Sequence, residues 1–147
     1  MDLAPRRLPD PALCPDLYDH TPAKRALAWV VDTAVIALGV AATVVLTVFV
    51  SLFFLPVVWL ALGFAYRTAT LARGSATWGM RLMAIEIRDV EGRRLDFGTA
   101  LAHTTLYYVA MAMLPLQILS AGLMVATPRR QGLGDHLLGT AALNRVD

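Results

Sequence analysis

The stretch TAVIALGVAATVVLTVFVSLFFLPVVWLALGFAY, residues 33–66, decides the fold. Not one Asp, Glu, Lys or Arg occurs between Asp32 and Arg67. A straight helix of that length would be about 50 Å long, against a bilayer hydrocarbon core of about 30 Å. The run is too long for one span and about right for two tilted legs. The spacing therefore predicts a hairpin. Its first helix begins at Thr21-Pro22 and runs to about Val50. Ser51 to Pro56 supplies the turn, and a second helix runs from about Val57 to Ala72. Thr21 suits the N-cap, and Pro22 the first helical position, where a missing N–H costs nothing.

A second uncharged run extends from Phe97 to Pro128, with only His103 as a possible charge. Pro115 stands near its middle. Residues 97–114 can span roughly 27 Å, whereas residues 116–127 are too few to span alone. Either one kinked span or a hairpin with a short or re-entrant second leg fits. Charge placement favours the hairpin. All 13 Lys and Arg fall in residues 1–25, 67–96 and 129–147. The two turns have none, and basic residues collect on the cytoplasmic side.

Between the runs the chain changes character. Met83 to Arg88 ends in period-2 alternation with apolar Met83, Ile85 and Ile87 on one face, Asp89 to Gly92 reads as a turn, and Arg93-Arg94-Leu95 can return. A short β-hairpin on the membrane surface is expected, followed by Asp96 as the N-cap of the next helix. The fold class is thus an all-α membrane protein. It has two helical hairpins, alternatively three spans, with a short cytoplasmic β-hairpin between them. Residues 1–22, with Pro5, Pro9, Pro11, Pro15 and Pro22, form a Pro-rich cytoplasmic arm read as extended and solvated. Residues 23–147 form the membrane domain.

Composition agrees with a membrane chain. Of the 147 residues, 57% are apolar, and the mean hydropathy is +0.58. The net charge is only +2. The central basic segment alternates with acids and lacks interleaved aromatics, which argues against nucleic acid as a partner. Cys14 is the single cysteine, so an intrachain disulfide and a cysteine metal cluster are excluded. Residues 1–25 have no apolar core and do not read as a cleavable signal. Hydrolase serine motifs, a phosphate loop and a dinucleotide fingerprint are absent, so neither an enzyme nor a cofactor is expected.

Few polar residues remain inside the membrane. Arg25 and Asp32 are seven apart, on one helical face, with Trp29 between them and Gly39 and Thr43 beyond. An ionised Asp near a helix centre costs about 2.5–3.5 kcal/mol on insertion scales, so Asp32 should face protein or water and find a partner. It suits an ion or proton site, or a buried clamp that fixes helix packing. Ala61, Ala65 and Ala69 form a small-residue stripe, whose simplest use is to pack on the Gly39–Thr43 face. His103 could relay protons or partner Asp32, although a hydrogen bond within the bundle is the commoner use. No second His lies near it in sequence, so no metal is expected. The tail from Arg129 to Thr140 carries Leu133, Leu137 and Leu138, which favour docking on the bundle over free solvation.

Together these residues resemble the RDD family of bacterial membrane proteins, named for one Arg and two Asp. Arg25 and Asp32 match the Arg at the start of the first helix and the Asp seven residues on. Asp135 matches the second Asp, in the pattern from Arg130 to Thr140. Thr77-Trp78-Gly79-Met80-Arg81 is similar to the family's Thr-x-Gly-Lys-Arg, with Met80 in place of Lys. Gly92 matches its hairpin glycine. His103 stands where members usually carry Arg, which puts in doubt any role needing a permanent cation there. The resemblance covers about residues 20–145. It implies a bacterial inner-membrane protein, for which transport of unidentified ligands has been suggested.

Two functions fit. In one, Arg25, Asp32, Asp135 and His103 line a polar site for transport of an ion or small solute. In the other, the chain is an accessory or assembly subunit on a larger membrane complex, and the cluster is structural. Besides the lipid bilayer, a homo-oligomer or a larger complex is the expected partner. A water-filled path to Asp32 favours the first function, and a dry, fully paired Asp32 the second.

Overall fold

The computed structural model describes residues 7–145. Pro5 of the arm and the last two residues lie outside the described range. The first apolar run folds as the expected hairpin. Helix α1 spans Thr21–Leu46, a short 3-10 turn covers Val50–Phe54, and α2 spans Leu55–Gly74. Both helices are long and apolar enough to cross a membrane. Thr21 is not the N-cap: His20 takes that position, and the Thr21 hydroxyl donates to Tyr18 O instead.

The buried faces differ from those the spacing suggested. In α1 the inward stripe is Ala28, Asp32, Ile36 and Val40, at spacing four. Gly39 is exposed. In α2 it is Gly63, Arg67, Thr68 and Leu71, while Ala61, Ala65 and Ala69 all face outward. The inward stripe advances every four residues and passes through Val40, which leaves Gly39 beside it rather than on it. The close approach on α2 is made by Gly63 instead. A Cβ there would stand 2.3 Å from the Tyr108 hydroxyl.

After α2 come a short helix α3, Trp78–Leu82, and strand β1, Ile85–Arg88. Asp96 caps the next helix as expected, accepting from Thr99 N at 2.8 Å. Helix α4 covers Phe97–Ala112 and α5 Leu114–Ala126, and the pair bends by 118° at the break. Pro115 stands in the first turn of α5, where it costs no hydrogen bond. The chain then turns into α6, Leu133–Leu138, and strand β2, Ala141–Asn144. The bend returns α6 and β2 to the end of the bundle where α1 starts and α2 stops. One kinked span would have carried them to the opposite end.

The sheet corrects the expected β-hairpin. Strand β1 pairs antiparallel with β2, from Ile85 opposite Asn144 to Arg88 opposite Ala141. The turn at Asp89–Gly92 forms, but the returning segment contributes only one bridge, Arg88 to Arg94. Strand β2 pairs with one edge of β1 along its whole length, and on the other edge Ile87 N donates to Ser75 O at 2.7 Å. Ile85 and Ile87 are fully buried, packing with Ala28, Leu71, Met80 and Leu95. The described part of the arm is anchored at two points, while most of its other residues are exposed. Leu8 and Tyr18 bury against Ala141 and Leu143. Leu8 N donates to Val90 O at 3.0 Å, and the Tyr18 hydroxyl to Pro9 O at 2.7 Å.

Candidate functional site

Asp32 lies about three turns into α1 and is only 1% exposed. Three donors reach it. The Tyr66 hydroxyl of α2 donates at 2.7 Å, the Thr77 hydroxyl at 2.6 Å, and Gly79 N at 2.9 Å. Thr77 is also the N-cap of α3 and accepts from Met80 N at 3.2 Å. Tyr66 accepts from Trp78 N at 3.1 Å. One carboxylate thus receives the start of α3 and one face of α2. The approach needs glycine at residue 79, because a Cβ there would stand 2.1 Å from Ala28 O.

Asp135 lies in the first turn of α6 and is likewise 1% exposed. Gly132 N donates to Oδ2 at 3.0 Å, and the Thr140 hydroxyl to Oδ1 at 3.0 Å. The Arg25 guanidinium pairs with Oδ2. His103 Nε2 stands 3.0 Å from Oδ1. Facing an ionised carboxylate, that nitrogen must carry the proton. Burial opposes the Asp135 charge, but Arg25 and His103 outweigh it and hold its pKa below the ordinary carboxylate value. The tail is closed further by Gln131, whose side-chain amide donates to Thr140 O at 2.6 Å. Gly139 ends α6 in the left-handed conformation, φ 65°, which glycine adopts without strain.

Beside both carboxylates lies a cavity of about 730 Å³ between α1, α4, α5 and α6. Its wall is mainly apolar, with Arg25, Arg67, His103, Gln117 and Ser120 among its polar members. Arg67 is 7% exposed, and its guanidinium carbon stands 4.1 Å from the centroid of the Tyr107 ring. The Tyr107 hydroxyl is held by Trp29 Nε1 at 2.7 Å. Among the described residues, Arg67 has no acidic partner and its guanidinium donates no hydrogen bond. Among them, too, no group of His, Cys, Asp and Glu is arranged to hold a metal ion.

The profile of the RDD family matches residues 20–139. The chain belongs to the RDD family. No curated protein and no solved structure matches it. Of the four site residues expected in this RDD chain, three meet: Arg25, His103 and Asp135 form one cluster. Asp32 stands apart from it, and His103 turns to Asp135 rather than to Asp32.

Two residues at the site escaped the sequence reading. Tyr66 and Arg67 both fall inside the helix expected from Val57 to Ala72, but neither was singled out. Helix α2 continues to Gly74, so Arg67 lies about 10 Å inside it. The apolar Leu71 and Ala72 beyond Arg67 carried that signal. With Asp32 sealed by Tyr66, Thr77 and Gly79 and Asp135 by Arg25, His103, Gly132 and Thr140, Arg67 is, among the described residues, the charged group lining the cavity that has no acidic partner. The arrangement can neutralise and orient an anion. It offers a cation no carboxylate oxygen that is not already engaged.

Proposed function

We propose that this RDD protein is transport-related and sits in the bacterial cytoplasmic membrane with both termini in the cytoplasm. It holds a small solute in the cavity between α1, α4, α5 and α6. The observation that carries this reading is the cavity itself. Its volume of about 730 Å³ lies within the usual range for ligand sites, which are mainly apolar with a few convergent polar groups. The roles of the expected cluster divide accordingly. Arg25, His103 and Asp135 latch the tail beneath the cavity, and Asp32 anchors α3.

Native mass spectrometry of the protein released gently from its own membrane tests the reading. A bound non-protein mass is expected. It should disappear in Ala121→Trp, which adds bulk to the α5 wall of the cavity. An adduct of the same mass and occupancy in both proteins, or none in either, would overturn the proposal.

A second reading, the accessory or assembly subunit, is favoured by the state of Asp32. The carboxylate is buried and fully engaged within the chain, which is how internal glue behaves. The same spectra separate the two readings. A partner protein retained in stoichiometric amount, with an empty cavity, belongs to the second.

A further inference from the structure

We infer that the ligand of this cavity is an anionic amphiphile: a carboxylate or phosphate head bound by Arg67, with an apolar chain along the cavity wall. The inference rests on the proposed solute-binding role and names the chemistry of its solute.

The argument begins with Arg67. A guanidinium presents five N–H donors in a planar fork and stays charged at any accessible pH. Burying such a group without a counter-charge is costly, and charges inside membrane proteins almost always find partners. Here the Tyr107 ring stabilises one face of the guanidinium. Stacking leaves the edge, and all five donors, unused. The neighbouring acids do not meet them. Asp135 accepts from Arg25, Gly132 and Thr140 and faces His103. Asp32 accepts from Tyr66, Thr77 and Gly79. The unmet cation lines the cavity, where planar anionic oxygens match its fork.

The rest of the wall describes the other part of the ligand. Met80, Met111 and Met124 line it, and flexible methionines adapt to an unbranched chain. Val30 and Val125 stand at the rim, and both are exposed on the outer surface of the bundle. That surface faces hydrocarbon, so an amphiphile can reach the cavity sideways from the bilayer. A hydrophilic solute or an inorganic anion would gain nothing from such a wall. The same headgroup chemistry could come from a free fatty acid or from an anionic phospholipid with its chains partly in the bilayer.

The test uses the full-length protein in a neutral detergent, with a pyrene-labelled long-chain carboxylate and its methyl ester as probes. The carboxylate should bind about tenfold tighter or more, the ordinary effect of a charge-assisted hydrogen bond. Arg67→Met should abolish that preference, Arg67→Lys should keep part of it, and Ala121→Trp should weaken both probes with Arg67 intact. Displacement by oleate but not by phosphatidylglycerol assigns a free acid. Displacement by phosphatidylglycerol but not by phosphatidylcholine assigns a phospholipid. Either supports the inference. Equal binding of carboxylate and ester, both lost in Ala121→Trp, overturns the anion while leaving a solute-binding cavity. A carboxylate preference that survives Arg67→Met also overturns it. Binding of neither probe, with no co-purified mass, removes the anion and the cavity role together.

Discussion

Asp135 pairs with Arg25 across 110 residues of sequence. The contact ties the last helix to the start of the first and latches the tail beneath the bundle. Breaking a buried pair strands the remaining charge, which costs about 3–5 kcal/mol. Asp135→Ala and Arg25→Gln should each destabilise the protein by about that much in detergent unfolding. The double variant should lose clearly less than the sum. Additive losses, within about 0.5 kcal/mol, would mean that the two residues act independently.

The same carboxylate sets an acid limit. Its folded pKa lies below the ordinary carboxylate value of about 3.8. As pH falls, the unfolded chain therefore takes up the proton first. The stabilisation is complete above about 3.8 and is lost as pH falls from there toward the folded value. Hydrogen exchange across Ala141–Asn144 should accelerate over that window. In Asp135→Asn, exchange should already be fast at neutral pH and change little across the window. An unchanged pH profile in that variant would assign the acid sensitivity to another group.

Asp32 tests the clamp. Asp32→Leu leaves the Tyr66 hydroxyl, the Thr77 hydroxyl and Gly79 N without their acceptor. Each stranded donor costs about 1–3 kcal/mol. Membrane insertion should be unaffected, since the change makes α1 more apolar. The expected result is normal membrane abundance with a much lower unfolding midpoint. An unchanged midpoint would show that α3 is held elsewhere.

The hairpin of α1 and α2 was legible because absent charge over a fixed length leaves few alternatives. The Asp96 cap and the Asp89–Gly92 turn were legible because each depends on local chemistry. Strand pairing was not. Ile85 and Ile87 declare a strand but cannot say which strand meets it, and Ala141–Asn144 lies more than fifty residues away. The inward face of α2 was hidden for a related reason. Small size at Ala61, Ala65 and Ala69 permits close packing without requiring it, whereas Gly63 is where the Tyr108 hydroxyl approaches the α2 backbone. Arg67 was missed because, although the expected helix already ran past it to Ala72, the sequence does not say which face of that helix turns inward, toward the Tyr107 ring.

Glycine at residue 79 can be tested with opposite signs. In Gly79→Ala the new methyl would collide with the Ala28 carbonyl, a backbone atom that cannot rotate away. Overpacking of this kind costs about 1–3 kcal/mol. Gly122 of α5 has no atom within 4 Å of an added Cβ. There Gly→Ala should stabilise by about 0.4–1 kcal/mol, because alanine has less freedom to lose on folding. Thermal unfolding of the two variants in one detergent should move in opposite directions. A shift of the same sign in both would contradict the packing assigned to α3.

The final prediction concerns the direction of the whole bundle. The arm, the β1–β2 sheet and α6 sit together at one end, joined by Lys24 Nζ to Asn144 at 2.7 Å and Arg145 N to Ala84 O at 2.8 Å. The turn between α1 and α2 lies at the other end and carries no basic residue. The positive-inside rule then places the sheet in the cytoplasm. Cys14, the only native thiol, is exposed on the sheet side. Phe53, 85% exposed, marks the opposite turn. In intact spheroplasts a membrane-impermeant maleimide should label Phe53→Cys in a Cys14→Ser background. Native Cys14 should react only after permeabilisation. Labelling of both positions from outside would sink the two-hairpin arrangement, and labelling of Cys14 alone would invert the protein in its membrane.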